Sequence, residues 1–476
     1  MRVVEKKCCK GVVSEMKLNR IMIAAPKSGS GKTTITCGLL QAFKDAGEKV
    51  ISYKCGPDYI DPMFHQKVID VPAKNLDTFF TDEETTRKLF LKNRTEGEFA
   101  VLEGVMGLFD GLGGIREEGS SYHLAKVTRT PIILVIDAKG IGRSVISLIA
   151  GFLSYDKSQL IKGVILNRMS KSYYETIKPL IEQELSIKVV GYFPECKEFH
   201  AGSRHLGLMM PDEIADIREL LYKSSEELQK TVSLESVLQI AEDAEELEMY
   251  PVITDAEVCT TNEENRPVIA VAKDEAFCFY YEDNLHLLEE GGAKIKYFSP
   301  IHDTGLPDGC CGILLGGGYP ELYADNLSQN TTMLHAIKKA EESEMPIVAE
   351  CGGFMYLHSA IADKEERFYS MTGILPAKCH NTGKMVRFGY IELEGRNGDF
   401  LPKGERIRGH EFHYYDSEDN GMDCLAVKPV TGKSYPCIIA RGNIFVGFPH
   451  LYYPSNPIFA YNFVKKAREY KARKDL

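Results

Sequence analysis

The stretch Lys27-Ser-Gly-Ser-Gly-Lys-Thr-Thr constrains this chain most, because it joins the apolar run Arg20-Ile-Met-Ile-Ala-Ala to a helix-compatible segment, residues 33–46. A buried strand that breaks into small residues and continues as a helix lets backbone N–H groups converge on one point, and the helix N-terminus adds partial positive charge. That is a phosphate cradle. Lys27, Gly29, Ser30, Gly31, Lys32, Thr33 and Thr34 are its expected nucleotide contacts, with Lys32 reaching the terminal phosphates and Thr33 ligating Mg²⁺. Pro26 occupies the place of the loop's first glycine, which makes the loop a variant. ATP and Mg²⁺ are the expected cofactors.

Four further apolar runs, residues 49–53, 100–102, 131–136 and 163–166, follow at spacings long enough for helical crossovers. Such alternation predicts a mostly parallel sheet with helices on both faces. The chain then turns Glu-rich, as in Glu242-Asp-Ala-Glu-Glu-Leu-Glu, and residues 225–265 read as a solvated helical linker. A second alternation opens at Pro267-Val-Ile-Ala-Val-Ala and runs through residues 293–297, Gly312-Ile-Leu-Leu-Gly and Pro346-Ile-Val-Ala-Glu-Cys. At 476 residues the chain exceeds what one hydrophobic core usually supports. The expected fold class is α/β with two doubly wound domains, residues 18–224 and 266–476, behind a polar extension over residues 1–17. No internal repeat relates the two halves, so they read as different modules.

Hydrophobic residues make up 44% of the chain and charged residues 26%, and no apolar run approaches the roughly 20 residues of a membrane span. With 57 Lys and Arg against 68 Asp and Glu, the formal charge of −11 argues against nucleic acid as the main partner. A local basic pocket for an anionic substrate is still compatible with it. The 13 cysteines are scattered, no secretory signal precedes the first strand, and Cys8-Cys9 and Cys310-Cys311 lack partner pairs at zinc spacing. A cytoplasmic, reducing setting is expected.

Carboxylates gather on loops after the predicted strands, where open α/β sheets carry function. Lys54-Cys-Gly-Pro-Asp-Tyr-Ile-Asp-Pro supplies Asp58 and Asp61, and Val101-Leu-Glu-Gly-Val-Met-Gly-Leu-Phe-Asp-Gly supplies Glu103 and Asp110. One such acid is as readily a helix cap or a turn former. Four on the sheet edge of a phosphate loop point to Mg²⁺ ligation for phosphoryl transfer.

In the second half, Val348-Ala-Glu-Cys-Gly-Gly-Phe ends a strand in a sharp turn and puts Cys351 at a helix N-terminus, where the dipole favours thiolate. Gly352 and Gly353 permit the turn, and the Gly352 N–H suits an oxyanion. Gly316-Gly-Gly, with Gly317 at its centre, offers the second donor. The pattern resembles class I glutamine amidotransferases. That resemblance implies His450, in Gly447-Phe-Pro-His-Leu-Tyr-Tyr-Pro, as the base beside Cys351. Class I enzymes generally carry a glutamate two residues later, but Tyr452 stands here, so His450 must be oriented from elsewhere. The cluster His410, Glu411 and His413 is the other candidate source of the base, on a substrate-facing loop or a domain-contact strand.

Taken together, the phosphate loop, Gly56-Pro-Asp-Tyr-Ile-Asp-Pro, Glu103-Gly-Val-Met-Gly-Leu-Phe-Asp-Gly and Ser203-Arg-His-Leu-Gly-Leu resemble cobyrinic acid a,c-diamide synthase, a relative of dethiobiotin synthetase. The resemblance runs from residue 19 to the C-terminus. It implies a P-loop dethiobiotin-synthetase-like domain followed by a class I glutamine amidotransferase domain. It also implies ATP-dependent amidation of the a- and c-side chains of cobyrinic acid through acyl phosphates, with ammonia drawn from glutamine. By matched motif, Lys32, Thr33 and Glu103 serve ATP and Mg²⁺, while Asp58, Tyr59 and Asp61 face the substrate or its bound metal. The Asn167-Arg168 turn matches the family's adenine-recognition turn. Glutamine and the tetrapyrrole are then the partners, and a homodimer is compatible with the pattern. The same motifs recur in synthases that amidate hydrogenobyrinic acid or nickel-sirohydrochlorin, whereas cobyric acid synthase lacks Gly-Pro-Asp-Tyr-Ile-Asp in this form. From a different class, Lys27 invites comparison with deviant P-loop ATPases acting in partitioning or assembly. Cys351, Gly352 and His450 argue against that reading.

Overall fold

A computed structural model describes residues 14–92, 98–195, 217–249 and 265–474. The chain divides between residues 253 and 254 into two compact units. In the first, seven parallel strands form one sheet in the order Ala73–Leu76, Val50–Cys55, Phe99–Glu103, Asn19–Ala24, Ile132–Asp137, Ile161–Asn167, Lys188–Phe193. Asn19–Ala24, the first of these in sequence, lies inside the sheet with later strands on either side. The winding therefore reverses beside it, and a crevice opens beyond its C-terminal end, where the phosphate loop begins.

Alternating side chains along that strand build the core. Ile21 and Ile23 pack with Leu39 and Phe43 of the helix Lys32–Asp45 on one face. Met22 and Ala24 pack with Leu124 and Ile149 on the other.

The described residues depart from expectation at both edges of this unit. Ser14–Met16, expected in an outlying extension, pairs antiparallel with Leu247–Met249. Residues 225–265, expected as a solvated helical linker, do contribute helix, the end of Ile217–Thr231 and the whole of Leu234–Glu242, but these lay Leu228, Val237 and Ile240 into the core. Gly38 on the phosphate-loop helix admits this packing: a Cβ there would meet Leu228 Cδ1 at 3.0 Å. Acidic composition hid an ordinary amphipathic stripe.

The second unit holds five parallel strands in the order Lys294–Phe298, Val268–Ala272, Cys310–Leu315, Ile347–Glu350, Ile444–Gly447. It also carries an antiparallel sheet that the sequence reading did not foresee, ordered Ser434–Cys437, Cys424–Val427, Arg387–Gly395, Arg406–His413, His450–Leu451. His410, Glu411 and His413 thus lie on a strand paired with that of His450, not on a loop. Gly409 makes the pairing close, since a Cβ there would stand 2.2 Å from the His450 carbonyl oxygen. No helix among the described residues is long and apolar enough to cross a membrane.

Candidate active sites

In the first unit, Gly29 and Gly31 adopt φ of 76° and 94°, and the chain enters the helix at Lys32. These left-handed angles suit glycine and turn successive amides inward. Ser30 Oγ donates to the Lys27 carbonyl at 3.0 Å, and Lys32 Nζ donates to the Met106 carbonyl at 2.6 Å. Asn167, at the end of its strand, donates from Nδ2 to the Ser30 carbonyl at 2.8 Å. The adjoining Arg168 pairs with Asp137. Asn167 therefore braces the loop directly, a role its family motif did not suggest. Burial, with Lys54 adding, lowers the Lys32 ammonium to about 8; bound phosphate oxygens would raise it again.

Thr33 Oγ1 donates to Glu103 Oε1 at 2.7 Å, which brings together the two residues expected at the metal. Lys54, not singled out from sequence, also donates to Glu103 Oε1 at 2.8 Å, pairs closely with Asp61, and lies 3.9 Å from Asp58. Burial acts to raise Asp61, but the charge and hydrogen bond of Lys54 override it and hold the carboxyl at about 2. Burial, reinforced by Asp61, raises Glu103 to about 7. Glu103 Oε2 is buried without a hydrogen-bond partner, 3.5 Å from His65 Nε2. Asp58 Oδ1 accepts the Ile60 amide, Tyr59 is buried, and Asp110 Oδ2 accepts the Gly107 amide, so Asp58 and Asp110 each also shape a turn. The motif Ser203-Arg-His-Leu-Gly-Leu lies outside the described residues.

His65 is fully buried against Ser52, whose Oγ lies 2.9 Å from Nδ1, and burial lowers it to about 4. Below the unfolded value near 6.5 the unfolded chain takes up a proton that the folded one refuses. Stability from this group is thus complete above about pH 6.5 and falls between there and about pH 4, by about 1.4 kcal/mol per unit. Denaturant midpoints measured from pH 7 to pH 5 should fall, and His65→Asn should flatten the slope. An unchanged slope would contradict a neutral buried His65.

In the second unit, Cys351 sits between Ile347–Glu350 and the short helix Gly352–Tyr356 with φ 49° and ψ −105°, a strained turn for a non-glycine residue. Its N–H donates to the Gly447 carbonyl at 2.9 Å, and the Gly353 N–H donates to the Gly316 carbonyl at 2.9 Å. A Cβ on Gly353 would meet the Leu315 carbonyl oxygen at 2.2 Å. A Cβ on Gly352 would lie 3.1 Å from the Gly318 nitrogen, and one on Gly317 would lie 2.4 Å from His450 Cε1. The elbow, the Gly316–Gly318 segment and His450 therefore meet at one place.

Burial pushes the Cys351 thiol up, with Glu321 adding, against the pull of the Gly352 N–H. Burial thus outweighs the thiolate-favouring pull of the helix N-terminus. Burial, reinforced by His413, lowers His450 to about 3. At neutral pH Cys351 is thus held as a thiol and His450 as a neutral imidazole. The ring of His410 stacks on that of His450 at 4.9 Å, and Tyr281 Oη lies 3.2 Å from His410 Nδ1. Tyr452, in place of the usual glutamate, donates to Asp283 Oδ2 at 2.7 Å. Glu411 is buried with Tyr435, which donates to it, and with Lys428 and Arg387 each at 3.6 Å.

Residues 268–457 match the model of a CobB/CobQ-like glutamine amidotransferase domain, and residues 21–208 that of a CobQ/CobB/MinD/ParA nucleotide binding domain. The chain is 22% identical to a chain in the structure of PurLQS from Thermotoga maritima, covering 43% of this chain and 98% of that one at a TM-score of 0.29, a likeness too slight to argue from. A cobyrinate a,c-diamide synthase from Dehalococcoides mccartyi is 37% identical over 96% of this chain and all of its own. Another, from Caldanaerobacter subterraneus, is 39% identical over 90% of this chain and 94% of its own. With both halves matched in order and such relatives aligned along nearly their whole length, the chain belongs to the cobyrinate a,c-diamide synthase family.

Proposed function

We propose that this protein amidates the a- and c-side-chain carboxylates of cobyrinic acid, using ATP to activate each carboxylate and glutamine as the source of ammonia. The observation that carries the reading is the coexistence in one chain of a phosphate loop tied to Glu103 through Thr33 and a glycine segment, Gly316–Gly318, approached by both the cysteine elbow and His450. A substrate carboxylate oxygen attacks the γ-phosphorus of ATP, ADP leaves, and an acyl phosphate forms. Ammonia then attacks the acyl carbon and inorganic phosphate departs. Activation is required because a carboxylate is a poor electrophile, and the acyl phosphate must be kept from water.

Lys32 and the loop amides bind the phosphates. Thr33 and the unpartnered Oε2 of Glu103 fit Mg²⁺, which when bound neutralises charge on the transferring phosphoryl group. Lys54 holds Asp61 and Glu103 against mutual repulsion, and Asp58 and Tyr59 face the tetrapyrrole. In the other unit His450 takes the Cys351 proton as sulfur attacks the glutamine amide carbon. The Gly352 amide and an amide of the Gly317–Gly318 segment hold the oxyanion. Ammonia leaves with the proton from His450, and water hydrolyses the thioester to glutamate. The chemistry draws on cytoplasmic ATP and glutamine.

The test is incubation of the protein with ATP, Mg²⁺, glutamine and, side by side, cobyrinic acid, hydrogenobyrinic acid and nickel-sirohydrochlorin, with products read by mass. The a,c-diamide of cobyrinic acid should predominate. Preference for another macrocycle would reassign the substrate, and no glutamate release with any of them would overturn the amidotransferase reading.

A further inference from the structure

The tyrosine after Phe277–Phe279 makes two hydrogen bonds that the reaction scheme above does not use. Tyr280 Oη donates to the Ala272 carbonyl at the end of the strand Val268–Ala272, and it accepts the Gly316 N–H at 2.8 Å. The carbonyl of the same Gly316 accepts the Gly353 N–H of the elbow at 2.9 Å. Gly316 is thus held at both ends, on one side by a phenol fixed to the central sheet and on the other by the residue two beyond Cys351. Close approach enforces the arrangement: a Cβ on Gly316 would stand 2.5 Å from the Tyr280 ring. The next two residues, Gly317 and Gly318, are those that meet His450 and Gly352.

A hydroxyl is suited to this place because it donates and accepts at once. Burial keeps the Tyr280 phenol protonated, so its donation to Ala272 persists at any working pH. Gly317 and Gly318 pair with Phe279 and Phe277, and the Tyr280 hydroxyl fixes the peptide at the head of that pairing; a peptide turned over there would aim a carbonyl where an amide is needed.

We propose that Tyr280 is a positioning residue of the glutaminase centre, whose hydroxyl fixes the Leu315–Gly316 peptide and so sets the start of the glycine run from which an amide of Gly317–Gly318 faces the developing oxyanion of glutamine. This rests on the glutaminase assignment above and names how its second donor is set. The geometry acts on the transition state, so loss of the hydroxyl should affect turnover more than glutamine binding.

Tyr280→Phe keeps the ring and removes both hydrogen bonds. In the full-length enzyme, kcat for glutamine-dependent amidation should fall about ten- to a hundredfold at nearly constant KM for glutamine. Amidation from ammonium salts should proceed at the wild-type rate. Labelling of Cys351 by a glutamine-mimicking diazoketone, which needs the cysteine and the glutamine pocket but forms no tetrahedral oxyanion, should also stay near wild type. Unchanged glutamine turnover, a fall carried by KM alone, or loss of labelling or of ammonia-dependent synthesis along with it would each overturn the proposal. Cys351→Ala assayed in parallel separates the two levels: if it still uses glutamine, the glutaminase assignment itself is wrong whatever Tyr280 does.

Discussion

Cys351→Ala should abolish glutamine-dependent amidation, by about 10⁴-fold or more, and leave amidation from ammonium salts intact. The size of the loss follows from what the residue supplies. The elbow places one sulfur at the end of Ile347–Glu350, and no other cysteine occupies a comparable turn among the described residues. On the roles proposed above, His450 would have nothing to deprotonate without it, and the amide donors no oxyanion to hold. Selectivity follows from the division of labour, since the phosphate loop and Glu103 belong to the other unit. The measurement is product formation with each nitrogen source, with the melting temperature as a control for folding. Equal loss with both sources would sink the separation of the two half-reactions.

Lys32→Ala should show the complementary pattern, with synthesis lost from glutamine and from ammonia alike, by about 10²- to 10³-fold. Lys32 is the buried cation of the loop, 8% exposed, and its ammonium lies against the Met106 carbonyl beside Glu103's strand. On the proposed role, a neutral alanine removes the one buried side-chain cation of the loop from the developing charge on the γ-phosphoryl oxygens. Ammonia-dependent synthesis that survives this substitution would mean that the phosphates bind elsewhere.

The two most punctuated motifs were the easiest to read from sequence. A glycine-rich break between an apolar run and a helix, and a Cys-Gly-Gly turn after a strand, each encode local backbone geometry in a few consecutive residues. The strands placed at 49–53 and 163–166 fall within Val50–Cys55 and Ile161–Asn167 or one residue short of them. What escaped was set by partners distant in sequence. Lys54 looks like any strand lysine until folding brings Asp61 and Glu103 to it. His65 carries no local signal and acquires its character from burial beside Ser52. Tyr280 precedes Gly316 by 36 residues, and nothing in its neighbourhood announces the contact. The antiparallel sheet around Glu411 was missed because its strands Arg387–Gly395 and Arg406–His413 carry charged and polar residues at most positions, so no apolar run marks them. The acidic stretch misled for the opposite reason: its charge was conspicuous, while Leu228, Val237 and Ile240 were few and widely spaced.

The central place of Asn19–Ala24 has a consequence for how the molecule comes into being. Its two neighbours, Phe99–Glu103 and Ile132–Asp137, emerge from the ribosome long after it, Asn167 reaches Ser30 across 137 positions, and Ile217–Thr231 covers the phosphate-loop helix later still. A strand that must wait for such distant partners pairs slowly and is exposed meanwhile. During synthesis the loop is translated before the partners that complete it, so ATP can protect the nascent domain only once most of that domain has already been made.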